Sequence, residues 1–96
     1  PEFHVTVPDG VTGIGEQIFG KYKGYVNEVI LPDSVKTIGK QAFNECGIAL
    51  LHLSEGLREI HDLAFEGCKL TEVAIPSTVT SIGEGAFDCA SPVSFT

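Results

Sequence analysis

Tryptophan and methionine are absent from this chain of 96 residues, so Val, Ile, Leu, Ala and Phe carry its apolar content. Basic residues are scarce: 6 Lys and Arg stand against 13 Asp and Glu, for a formal net charge of -7. Nucleic-acid binders need clustered cations to displace counterions from phosphate. Lys21, Lys23, Lys36, Lys40, Arg58 and Lys69 form no dense run, which excludes nucleic acid as a partner. No apolar stretch approaches the roughly 20 residues of a membrane helix, so no membrane insertion is expected. The start, PEFHVTVPDG, has neither the basic opening nor the apolar core of a secretory leader. The 3 cysteines cannot all pair within one chain and lack the C-x-x-C spacing of a zinc site. Gly13-Ile14-Gly15 and Gly83-Glu84-Gly85 complete neither a dinucleotide fingerprint nor a P-loop, and no calcium-loop pattern occurs. Neither a metal nor a cofactor is expected.

What is present is a repeat. Phe19, Phe43, Phe65 and Phe87 recur at intervals of 24, 22 and 22 residues. Ile18, Ala42, Ala64 and Ala86 precede them directly, and Ile14, Ile38, Ile60 and Ile82 stand five positions earlier. Val11, Val35, Leu57 and Val79 come three before those isoleucines. Pro8, Pro32 and Pro76 come three earlier still, with Ser54 in the third copy. A glycine follows the isoleucine at Gly15, Gly39 and Gly83, with His61 as the exception. Self-similarity at a fixed period of this length marks stacked repeats, each too small to bury its own apolar face.

The apolar period changes within each copy. Val5 and Val7, Val29 and Leu31, Leu51 and Leu53, and Val73 and Ile75 alternate with polar neighbours, as in a strand with one buried face. Proline cannot donate to a ladder and closes each strand. Turns such as Asp9-Gly10, Asp33-Ser34 and Glu55-Gly56 follow. Ile38, Ala42 and Cys46 then lie four apart, as do Ile60, Ala64 and Cys68, a spacing that predicts short helical segments behind the strands. Ser81 and Glu84 have the spacing of a capping box. The expected fold is an α/β repeat solenoid of about four copies of 22–24 residues, in a single unit over 1–96. Its repeats run approximately over 3–25, 26–47, 48–69 and 70–91, and a fifth strand starts at 92–96.

The segments LTEVAIPSTVTSIGEGAFDC (70–89) and VNEVILPDSVKTIGKQAFNEC (26–46) resemble the repeat of the BspA-like leucine-rich repeat family. The resemblance covers essentially the whole chain; the third copy departs from the pattern at Ser54 and His61. It implies a curved solenoid with parallel strands on its concave side. It also implies an adhesion or protein-binding role at the cell surface or outside the cell, with a host surface or matrix protein among the partners. The family motif is structural and implies no catalytic residue, so the chain is not expected to be an enzyme.

The cysteines follow the repeat phenylalanines, so they read as a buried ladder of small apolar groups. A nucleophile pair such as Cys46 with His52 would need a thiolate in an electropositive, accessible setting, which an acidic chain does not offer. Binding is therefore expected on the outward strand residues. Alternation places His4, Glu28, Leu50 and Glu72 in one cross-strand row and Thr6, Ile30, His52 and Ala74 in the next. A second expectation is a purely structural repeat segment or end-to-end self-association, the latter because neither end carries an atypical polar copy and open strand edges invite pairing.

Overall fold

A computed structural model describes residues 3–17, 26–89 and 93–95. Phe19, and with it the first phenylalanine of the series, lies outside the described residues. The described segments contain short strands only: β1 (Phe3–Thr6), β2 (Gly13–Ile14), β3 (Val26–Ile30), β4 (Thr37–Ile38), β5 (Leu50–His52), β6 (Glu59–Ile60), β7 (Glu72–Val73), β8 (Ser81–Ile82) and β9 (Ser94–Phe95). All pairings are parallel. One ladder runs β1-β3-β5, a second runs β2-β4-β6-β8, and β7 pairs with β9. The chain is thus a parallel-strand solenoid of about four turns, each with a front strand, a turn, a two-residue back strand and a return.

Both strand residues and return residues feed one core. Val29, Val35, Ile38, Ala42, Phe43, Cys46, Leu57, Ala64, Phe65 and Cys68 are completely buried. The phenylalanines stack along the axis: Phe43 and Phe65 have centroids 5.4 Å apart with planes 4° from parallel, and Phe65 and Phe87 are 5.3 Å apart at 10°. The expected alternation is therefore realised, and so is the inward placing of Ile38, Ala42 and Cys46.

The element expected there is not. No helix occurs among the described residues, and Ser81, read as a helix cap, lies in strand β8. The cause is a division of the backbone donors. The N–H groups of Gln41, Phe43 and Glu45 donate across to Asp62, Ala64 and Glu66 of the next turn, at 3.0, 2.8 and 2.6 Å. Those of Ala42, Asn44 and Cys46 bond back three residues within their own turn. An α-helix needs every donor bonded four residues back, and here every second one is claimed by a neighbour. Gln41 and Glu45 also take φ of 57°, left-handed values that interrupt a right-handed helix. The same division recurs at Leu63, Phe65 and Gly67, which donate to Glu84, Ala86 and Asp88. Four-residue spacing put the right side chains inside, through a backbone bonded outward as well as inward.

The two departures of the third copy also have physical readings. In the second and fourth copies a turn hydroxyl donates to the preceding turn: Ser34 Oγ to Val11 O at 2.8 Å and Thr78 Oγ1 to Leu57 O at 2.6 Å. Gly56 holds that position in the third copy and has no hydroxyl. Ser54, in the proline slot and buried, supplies it instead and donates to Val35 O at 2.7 Å. His61 has no left-handed φ; it donates its N–H to Ile38 O at 2.9 Å, as Gly39 does to Ile14 O and Gly83 to Ile60 O. At Gly39 and Gly83 an added Cβ would meet backbone of the preceding turn, so the glycine there answers a close approach of turns and not a left-handed backbone angle.

Candidate functional site

The front ladder sets the spacing of the outward side chains. Strand pairing aligns His4 with Glu28 and Glu28 with Leu50, and Thr6 with Ile30 and Ile30 with His52. Six of the eight residues expected on this face are thereby brought together. Glu72 and Ala74 are outward as well, but Glu72 pairs with Ser94 on the β7-β9 ladder, and no strand pairing joins β7 to β5.

A polar bridge crosses the two rows. Glu28 Oε1 accepts from His4 Nδ1 and Glu28 Oε2 from the diagonal His52 Nε2, both at 2.9 Å. The two hydrogen bonds, His4 first, hold the Glu28 carboxyl below its ordinary range. The carboxylate is the sheltered member, 22% exposed against 60% for His4 and 56% for His52. Ile30 and Leu50 flank it, both exposed. This patch therefore pairs apolar contact surface with a carboxylate of fixed orientation. It assembles no activated nucleophile.

Beyond β5 the face opens into a cleft of about 580 Å³, lined by Leu51, His52, Leu53 and Glu55 from the third turn and by Ala74, Ile75 and Pro76 from the fourth. Leu51, Leu53 and Ile75 read in the sequence as ordinary inward ladder residues. Nothing in their pattern marks the opening, because it arises from a missing strand pairing.

The cysteines sit where the repeat puts them. Cys46 and Cys68 are buried and Cys89 is half-buried, and none of the three is in a disulfide. Cys68 Sγ donates to Phe43 O at 3.4 Å and Cys89 Sγ to Phe65 O at 3.6 Å. Burial pushes the Cys68 thiol up to about 12, and burial likewise raises that of Cys89. Cys68 is thus protonated at neutral pH and unsuited to nucleophilic or metal-binding work. Among the described residues no group of three or more His, Cys, Asp or Glu is placed to hold a metal ion. In the native protein at pH 8, Cys46 and Cys68 are expected to be silent to Ellman's reagent and Cys89 to react slowly. Three fast equivalents would overturn the buried ladder. Folding favours the protonated thiol, so Cys68 contributes stability below the ordinary thiol value near 9 and loses it as pH climbs toward about 12. The melting temperature should fall over that window, and less steeply in Cys68→Ala.

Comparison with known proteins gives a consistent result. Residues 12–96 match a family described as "BspA type Leucine rich repeat region (6 copies)". A leucine-rich repeat protein from Bacteroides capillosus ATCC 29799 is 30% identical over 97% of this chain and 76% of its own, with a TM-score of 0.80. The T. pallidum leucine rich repeat protein is also 30% identical, over 90% of this chain and 54% of its own, with a TM-score of 0.65. No curated protein sequence matches the chain.

Proposed function

This chain belongs to the BspA-type leucine-rich repeat family, and we propose that it is a protein-binding, adhesion-type module of a larger cell-surface or secreted protein. Its ligand is a macromolecule, a host surface or matrix protein, held on the open front face. The observation that carries the reading is the arrangement of Ile30 and Leu50 around the bridged Glu28. Solenoids present extended sheet faces to their ligands. Here polar groups oriented before contact reduce the ordering cost of binding.

The test combines Ile30→Arg with His52→Ala and measures capture on a panel of immobilised extracellular-matrix proteins. The double variant should keep its melting temperature and lose at least tenfold in affinity, about 1.4 kcal/mol. Unchanged capture would move the site off this face.

A second reading, end-to-end stacking of copies, draws support from Ile82 and Phe95, exposed at 47% and 53% in the last strands. Light scattering on the same samples separates the two, since a monomer across a concentration series removes self-association.

A further inference from the structure

The front ladder stops between the third and fourth turns while the back of the solenoid continues through them. Val7 N donates to Ile30 O at 3.1 Å and Leu31 N to His52 O at 3.0 Å. The third bond of that series would run from Leu53 N to Ala74 O, and it is not made. Behind it, β6 pairs with β8 and Thr78 Oγ1 donates to Leu57 O. The two turns therefore form a wedge, closed at the back and open at the face.

The wedge also uncovers core. Val29 and Leu31 are 0% and 5% exposed, whereas Leu51 and Leu53, their equivalents one turn on, are only half-buried, as is Ile75. Inward apolar side chains left wet are unfavourable, and the main-chain donor and acceptor beside them, left out of the ladder, are edge groups ready to pair. One kind of partner answers both needs. An extended peptide offers main-chain N–H and C=O groups to the strand edges, and every second side chain can enter the apolar wedge. The volume of about 580 Å³ lies in the range of pockets that hold a ligand group. Charge narrows the sequence. Glu55 lines the cleft, Glu28 and Glu72 stand on the adjoining strands, and the chain carries a net charge of -7.

We propose that the cleft between β5 and β7 binds an extended peptide segment, an apolar anchor side chain entering between Leu53 and Ile75 and cationic residues flanking it. The proposal deepens the front-face reading and rests on it.

The test uses the ¹⁵N-labelled chain and an acetylated, amidated pentapeptide Lys-Thr-Leu-Thr-Lys. Before any peptide is added, the Leu53 amide should exchange with solvent much faster than the Leu31 amide, which is bonded. On titration, the amides of Leu53 and Ala74 should shift with a Kd of about 1 mM or tighter, near 4 kcal/mol of binding. N-methylation of the central leucine should weaken binding at least tenfold, because it removes a ladder donor. Ala74→Trp, which fills the wedge from an exposed position, should abolish the shifts. Glu55→Lys gives a second variant: it should weaken this peptide and spare an analogue flanked by serine. A protected Leu53 amide, or no shift at millimolar peptide, overturns the proposal. Shifts confined to Glu28, Ile30 and Leu50 overturn it too, while leaving the wider face reading in place.

Discussion

Phe65→Ala is expected to cost about 3–5 kcal/mol of folding stability, the usual range for truncating a buried phenylalanine. Phe65 is completely buried and lies between Phe43 and Phe87, with a near-parallel ring at 5.4 Å on one side and 5.3 Å on the other. Removing it opens a cavity in the axis of the solenoid and breaks two stacking contacts, each worth about 0.5–1.5 kcal/mol beyond area alone. A small domain has only about 5–15 kcal/mol in total. The variant should therefore show a much lower urea midpoint, or no cooperative transition. Phe87→Ala should cost clearly less. Its ring is half-buried, and on its outer side it meets Phe95 edge-on at 73° instead of another stacked member. Equal losses for the two would count against stacking as the source of stability.

The second large effect concerns a single methyl group. A Cβ built at Gly83 would lie 2.5 Å from Asp62 N and 2.7 Å from His61 C, and would also strike Asp62 Oδ1. Two of these are backbone atoms of the preceding turn. They cannot withdraw without loosening the bond from Gly83 N to Ile60 O, made at 2.7 Å. Overpacking of this kind costs about 1–3 kcal/mol, and Gly83→Ala should fall at the upper end. Gly15→Ala supplies the control. It occupies the same repeat position, yet nothing lies within 4 Å of its added Cβ, so its melting temperature should barely move. Similar losses for both alanines would mean that backbone freedom, not the approach of turns, explains the repeat glycine.

A single sequence holds some kinds of structural information and not others. Periodicity reports which side chains point inward, and it did so for Ile38, Ala42 and Cys46 whatever backbone carried them. It does not report where backbone donors go. The expected helical segments resolve instead into donors divided between own turn and next turn, because Gln41, Phe43 and Glu45 find carbonyls of the neighbouring turn in reach. The outward rows were legible for the same reason as the core: register follows from the repeat length, and His4, Glu28 and Leu50 align as spaced. The diagonal from Glu28 to His52 was not, since it depends on side-chain reach across two rows. Ser54 looked like a lapse in the pattern. It becomes intelligible only when Gly56 is seen to lack the hydroxyl that Ser34 and Thr78 contribute. The cleft beside β5 left no trace in residue types at all, because an unmade hydrogen bond has no sequence signature.

The bonds between turns also have a mechanical meaning. They run from one turn to the next, as from Phe43 N to Ala64 O and from Phe65 N to Ala86 O, so tension along the stack loads them one turn at a time instead of shearing a whole sheet together. A tethered chain pulled from its ends would then yield in steps, each freeing a repeat of about 22 residues and lengthening the tether by roughly 75 Å at the extended rise per residue. Of the two seams that join the second, third and fourth turns, the one between the third and fourth would part first, because the front ladder contributes nothing there. A segment bound in the cleft would clamp that seam, so the grip on a partner and the resistance to force would rise together.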